Sequence, residues 1–201
     1  MIGLIRSELY RMATIRSSWV CIALFGAVAA AVGVLNAYGW ALFAGIGAFG
    51  IAVLTVSQHY QHRTAALLYL ARPKRLPVLI AQVVTTMAVA WALTALSGIT
   101  VLLEDAPGHP YRHTLTVVPI MAVFGAATAA IVRRSSWLLL GFALWFVMVE
   151  GLLGQMKWLL PISTYLEAAK GNAFGLEVFT VWAVVALAGA VLTLPRDLAA
   201  D

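Results

Sequence analysis

Charge is what this chain lacks. Of its 201 residues, 10% are charged and 63% are hydrophobic, and the mean hydropathy is +0.94. A water-facing globular domain usually carries about 25% charged residues. A tenth cannot clothe such a surface, so a soluble domain is excluded and the bilayer is the natural solvent. Cysteine is nearly absent as well. Cys21 is the single one, which excludes an intrachain disulfide scaffold. No acidic residue lies between Cys21 and Glu104. The sequence has no G-x-x-x-x-G-K-[ST], so it builds no phosphate loop of its own. It also lacks G-x-S-x-G, H-E-x-x-H and a pair of carboxylates within one apolar run, which leaves little for a membrane-embedded enzyme to work with. Polar alternation at every second residue is missing too, so membrane β-strands are excluded in favour of helices.

What is present is a series of long uncharged runs. A helix needs roughly 20 apolar residues to cross a hydrocarbon core of about 30 Å. No Asp, Glu, Lys or Arg occurs between Arg16 and Arg63, which is room for two crossings with a turn at Asn36–Trp40 carrying interfacial aromatics. The expected fold is an all-α membrane protein of one domain over 1–201, with spans at about 18–36, 39–57, 77–103, 114–132, 136–153 and 177–194. The apolar run after Arg16 is too long for a cleaved signal and reads as a retained first span.

The basic residues set an expected orientation. With the N-terminus in the cytoplasm, Arg6, Arg11, Arg16, Arg63, Arg72, Lys74, Arg75, Arg133, Arg134 and Arg196 face inward. Arg112, Lys157 and Lys170 face outward, and ten against three obeys the positive-inside rule. Both termini are then cytoplasmic. Residues 1–16 place Ile2, Ile5, Leu9 and Met12 at helical spacing, with Arg6, Glu8, Arg11 and Arg16 elsewhere around the wheel. That pattern predicts a helix lying in the inner interface. At the other side, Thr164 and Glu167 have capping-box spacing and Gly171 is a stop signal, predicting a short outer helix of about 165–170 before span 6. Glu150 is an acid inside span 5, about 21 Å past Ser136 at 1.5 Å per residue. A carboxylate there is a candidate pathway or gate residue, or a partner for Lys157.

The most polar internal stretch is Ser57–Val78. His59 and His62 are three apart, a spacing that suits a metal pair, but no third ligand follows, and a nucleic-acid site would need a broader basic surface. Solvated positive-inside charge explains Arg63, Arg72, Lys74 and Arg75. It does not explain the apolar Ala65–Leu70 between them, which a short helix under the membrane, ending before Pro73, accounts for.

These residues resemble the ABC-2 type permeases, the membrane subunits of one class of ABC exporter. Their pattern after the second span is similar to E-Y-R-x-G-T, a Leu-rich stretch, then P-x-R and a Lys. Here Tyr60, Thr64, Leu67, Leu68, Pro73, Lys74 and Arg75 fall in matching places, while His59 replaces the acid and Arg63 the glycine. The resemblance implies that Tyr60, His62, Arg63, Thr64, Leu67, Leu68, Arg72, Pro73, Lys74 and Arg75 belong to a coupling helix that docks on an ATP-binding subunit. It implies that Arg133 and Arg134 make a second cytoplasmic contact. It further implies ATP and Mg on that partner rather than on this chain, and a second permease copy in a 2+2 assembly in the plasma membrane. Export follows from the same resemblance, and the largely apolar span set is compatible with a hydrophobic or amphipathic substrate. A membrane-embedded enzyme and a non-transport membrane assembly subunit are the alternatives.

Overall fold

The computed structural model describes residues 2–61, 76–103 and 109–193, and every regular element among them is a helix. A short helix α1 (Ile2–Thr14) leads into α2 (Arg16–Leu35) and α3 (Ala37–Gln61). Then come α4 (Leu76–Ser97), its continuation α5 (Ile99–Leu103), and α6 (His109–Val132). Next, α7 (Ser135–Leu144) passes directly into a π-helical segment, Trp145–Leu153. The short α8 (Pro161–Ala169) and the long α9 (Ala173–Thr193) follow. Six apolar stretches are long enough to cross a membrane: Ser18–Leu35, Ala37–Gln58, Leu76–Leu103, Pro110–Val132, Ser135–Leu153 and Ala173–Thr193. The chain is a multi-pass membrane protein. Its spans are helices because hydrocarbon offers no partner for a free backbone N–H or C=O.

The spans are not equivalent. In α3 and α6, 72% and 56% of the span positions are buried, against 6% in the α7–π span, so α3 and α6 form the centre and the latter lies outside. Both central helices bury small residues, Ala41, Ala44, Ala48 and Ala52 on one and Ala122, Ala126 and Ala130 on the other. Gly125 of α6 sits against Ala52 and Phe49 of α3 at the crossing. Close backbone approach through small residues is the packing that works when lipid competes for every apolar contact. An aromatic chain ties the outer helices to this centre. Phe142 of α7 stacks on Phe49 at 3.8 Å between centroids, Phe49 meets Phe124 at 6.1 Å, Phe124 meets Phe179 of α9 at 6.1 Å, and Phe179 meets Tyr165 of α8 edge-on at 5.7 Å.

Several local expectations shift. Asn36 alone separates α2 from α3; its side-chain oxygen accepts from Tyr38 N at 2.8 Å and Gly39 N at 3.3 Å, an N-cap that lets α3 start at once. Trp40 is therefore not an interfacial anchor. It is fully buried, donates to Ser97 Oγ at 3.2 Å and stacks on Tyr111. The fourth and sixth spans begin earlier than expected, at Pro110 and Ala173. In α2, Ala29 and Gly33 face inward, while Ala23, Ala27 and Ala31 are exposed.

Candidate functional site

Two ends of the bundle carry the polar chemistry. At the first lie α1, the end of α3, the start of α4, the α6–α7 connection and the end of α9. Glu8 and Met12 of α1 are buried, whereas Leu9 and Tyr10 are exposed, so the inward face of α1 holds an acid that periodicity alone puts on the polar side. The reason is a local pairing. Arg11 Nη2 and Nε reach Glu8 Oε2 at 3.0 and 3.2 Å, and the same guanidinium donates to the Thr55 carbonyl at 3.1 Å and to Gln58 Oε1 at 3.4 Å. An arginine with several donors can satisfy a buried carboxylate and dock its helix on a neighbour at once.

Arg133 and Arg134 form the whole connection between α6 and α7. Arg133 has a left-handed backbone, φ 61, and its Nη2 donates to the Thr193 carbonyl at 3.4 Å. A cation near the C-terminal end of a helix is favoured by the helix dipole. Arg133 thus fastens α9 to the connection, while Arg134 is exposed. Of the expected docking helix, Tyr60 falls in the last turn of α3. His62, Arg63, Thr64, Leu67, Leu68, Arg72, Pro73, Lys74 and Arg75 lie outside the described residues.

At the opposite end, Glu150 is fully buried and its carboxylate collects four donors. Oε1 accepts from Trp145 Nε1 at 3.1 Å and from Ile162 N at 3.1 Å; Oε2 accepts from Ser163 N at 2.6 Å and from Ser163 Oγ at 2.7 Å. A carboxylate with four lone-pair sites is filled by these donors. Ile162 and Ser163 open α8, whose N-cap residue Leu160 supplies no side-chain cap. Glu150 caps that helix from another element, where free N–H groups and the helix dipole favour negative charge. The π-helical winding helps, because i to i+5 bonding brings residues five apart, here Trp145 and Glu150, onto neighbouring positions. This set of partners does not include Lys157.

The capping-box pattern has a different outcome. Thr164 lies inside α8 and its hydroxyl turns back to the Leu160 and Pro161 carbonyls at 2.8 and 3.1 Å. Glu167 pairs with Lys170 at 2.7 Å, a hydrogen bond that holds its carboxyl below the usual carboxylate range, with Asn172 assisting and partial burial working the other way. The stop at Gly171 is real, with φ 95 in the region that only glycine enters freely. Tyr165 is fully buried and donates to the Ala41 carbonyl of α3 at 2.7 Å; burial pushes its phenol well above the usual range. Its ring fills the space over Gly45, where a Cβ would stand 2.5 Å from Cζ. Glu150, α8 and Tyr165 therefore act as one plug wedged into the end of the bundle.

No protein-family model matches the chain, and no curated protein matches it in sequence. Among the described residues, no three His, Cys, Asp or Glu gather where they would hold a metal.

Proposed function

We propose that this chain is the membrane-spanning permease subunit of an ABC-2 type transporter, with ATP and Mg handled by a separate ATP-binding subunit. The carrying observation is the gathering of α1, the ends flanking 62–75, the Arg133–Arg134 connection and the end of α9 at one pole of a six-span bundle. Ten of the 13 Lys and Arg residues belong by chain order to that pole, which supports a cytoplasmic placement for it and for both termini. On this reading α1 lies in the inner interface, and residues 60–75 form the coupling helix. Arg134 is left exposed for a second contact. ATP binding on the partner draws two permease copies together through those helices and changes the side to which the space between them opens. The plug of Glu150 and α8 then stands at the outer exit, and its own packing makes Glu150 a positioning residue for that closure. The cargo on this reading is hydrophobic or amphipathic and moves outward across the plasma membrane.

The experiment is charge reversal. Arg72, Lys74 and Arg75 are changed together to Glu in a tagged chain expressed with its ATPase. The expected result is loss of ATPase co-purification with unchanged insertion and folding. Retained assembly with full ATP-coupled transport would refute the docking role.

A further inference from the structure

Beside the plug, the connection between the π-helical segment and α9 borders an open cavity, one wall of which is α8 itself. Its volume is about 320 Å³, and Lys157, Trp158, Leu159, Ser163, Asn172 and Phe174 are among its walls. Three features define what it suits. The first is depth. The spans on either side end at Leu153 and begin at Ala173, so the cavity lies just beyond the hydrocarbon, where lipid headgroups occupy the outer part of a bilayer about 40–45 Å thick.

The second is charge. Glu167, in the cavity wall, is already paired to Lys170 at 2.7 Å. Lys157 is exposed and its ammonium has no partner among the described residues. The Glu150 carboxylate behind Ser163 is spent on its own four donors, so among the described residues Lys157 is the accessible charge at the cavity. Its position is fixed by an unusual backbone. Gln155 and Met156 both adopt left-handed conformations, φ 45 and 56, and Met156 N and Lys157 N donate back to the Glu150 and Gly154 carbonyls at 2.9 Å each. Two such residues in a row cost roughly 1–3 kcal/mol each, so the turn persists only because its surroundings impose it.

The third feature is the rim. Trp158, Leu159 and Phe174 are each more than half exposed, at 51%, 56% and 56%, and Trp182 Nε1 pins the Leu159 carbonyl at 3.0 Å. Exposed aromatics at the end of a span belong to the headgroup level. A polar floor, an accessible ammonium and an apolar lip facing the hydrocarbon match one amphiphile in both parts.

We propose that this cavity binds the headgroup of an anionic membrane phospholipid, with Lys157 on the phosphate and the Trp158, Leu159 and Phe174 rim against the upper acyl chain. The proposal rests on the membrane placement of the spans and is independent of the ATPase partner.

The test uses the full chain in nanodiscs of phosphatidylcholine doped with phosphatidylglycerol, followed by native mass spectrometry of the lipids retained on release. The wild-type chain is expected to retain phosphatidylglycerol at least fivefold above its share of the bilayer. Lys157→Gln is expected to abolish that enrichment and Lys157→Arg to restore it. Arg112→Gln removes an exposed cation of the same pole from outside the cavity and is expected to leave enrichment unchanged. Millimolar inorganic phosphate is expected not to displace the lipid. Enrichment that survives Lys157→Gln, falls equally with Arg112→Gln, or is stripped by inorganic phosphate would overturn the proposal.

Discussion

Removing the Glu150 carboxylate should detach the start of α8, and the size of the effect follows from how the four donors divide. Oε1 serves Trp145 and Ile162; Oε2 serves the amide and hydroxyl of Ser163. In Glu150→Gln the best orientation keeps the amide oxygen at Oε1. Its NH2 then faces Ser163, whose hydroxyl can rotate to accept, but whose backbone N–H cannot. One buried N–H is left without an acceptor, at a cost of about 1–3 kcal/mol. In Glu150→Ala both backbone donors lose their acceptor in a fully buried site, so the cost rises to roughly 2–6 kcal/mol before any loss of packing. Trp145, 43% exposed in mid-span, faces hydrocarbon that cannot replace the bond, so losing its acceptor adds to that figure. Amide hydrogen exchange read at Ile162 and Ser163 in lipid nanodiscs resolves the two cases. Glu150→Gln should speed exchange at Ser163 by about fivefold to 150-fold, and Glu150→Ala should speed both amides by more. Unchanged protection of both amides in Glu150→Ala would show that α8 is held without its cap and would refute the reasoning.

Other substitutions test the neighbouring contacts. Overlap of the new Cβ with the Tyr165 ring in Gly45→Ala should cost about 1–3 kcal/mol, and the ~1 kcal/mol that alanine contributes over glycine in a helix leaves a net loss of up to about 2 kcal/mol, read by thermal unfolding in detergent. Tyr165→Phe should cost only about 1 kcal/mol, because the Ala41 carbonyl keeps its helical partner. Arg11→Ala strips donors from Glu8, Gln58 and the Thr55 carbonyl and should release α1, raising hydrogen exchange across Ile2–Thr14 while α3 stays protected. The Glu167–Lys170 pair contributes stability above the ordinary carboxylate range near 4.3 and loses it as pH falls through the depressed folded value. Lys170→Met should move the Glu167 titration, followed by carboxyl carbon chemical shift, back up toward that range.

The spans were legible because a bilayer asks one question of a sequence, whether a run of about 20 residues is free of charge. Arg16, Arg63, Arg133 and Arg134 mark the borders of such runs, and the six observed spans lie close to those expected. Residues whose fate depends on distant partners were not legible. Glu8 sits inward because Arg11 joins it to Thr55 and Gln58, more than 40 positions away. Thr164 and Glu167 show the spacing of a local cap, yet α8 starts at Pro161 because Glu150 supplies its cap from across a turn. The π-helical winding that brings Glu150 into place has no signature in hydropathy, which is equally high for α and π segments. Trp40 reads as an interfacial aromatic until Ser97 and Tyr111 enclose it.

Native mass spectrometry of the tagged chain, purified gently from its own membrane, bears most directly on the transporter subunit reading. Two copies of this chain with two copies of an ATP-binding polypeptide are predicted, and the purified material should hydrolyse ATP. A chain that emerges alone or with itself only, with no nucleotide-binding polypeptide and no ATP hydrolysis, would contradict the account.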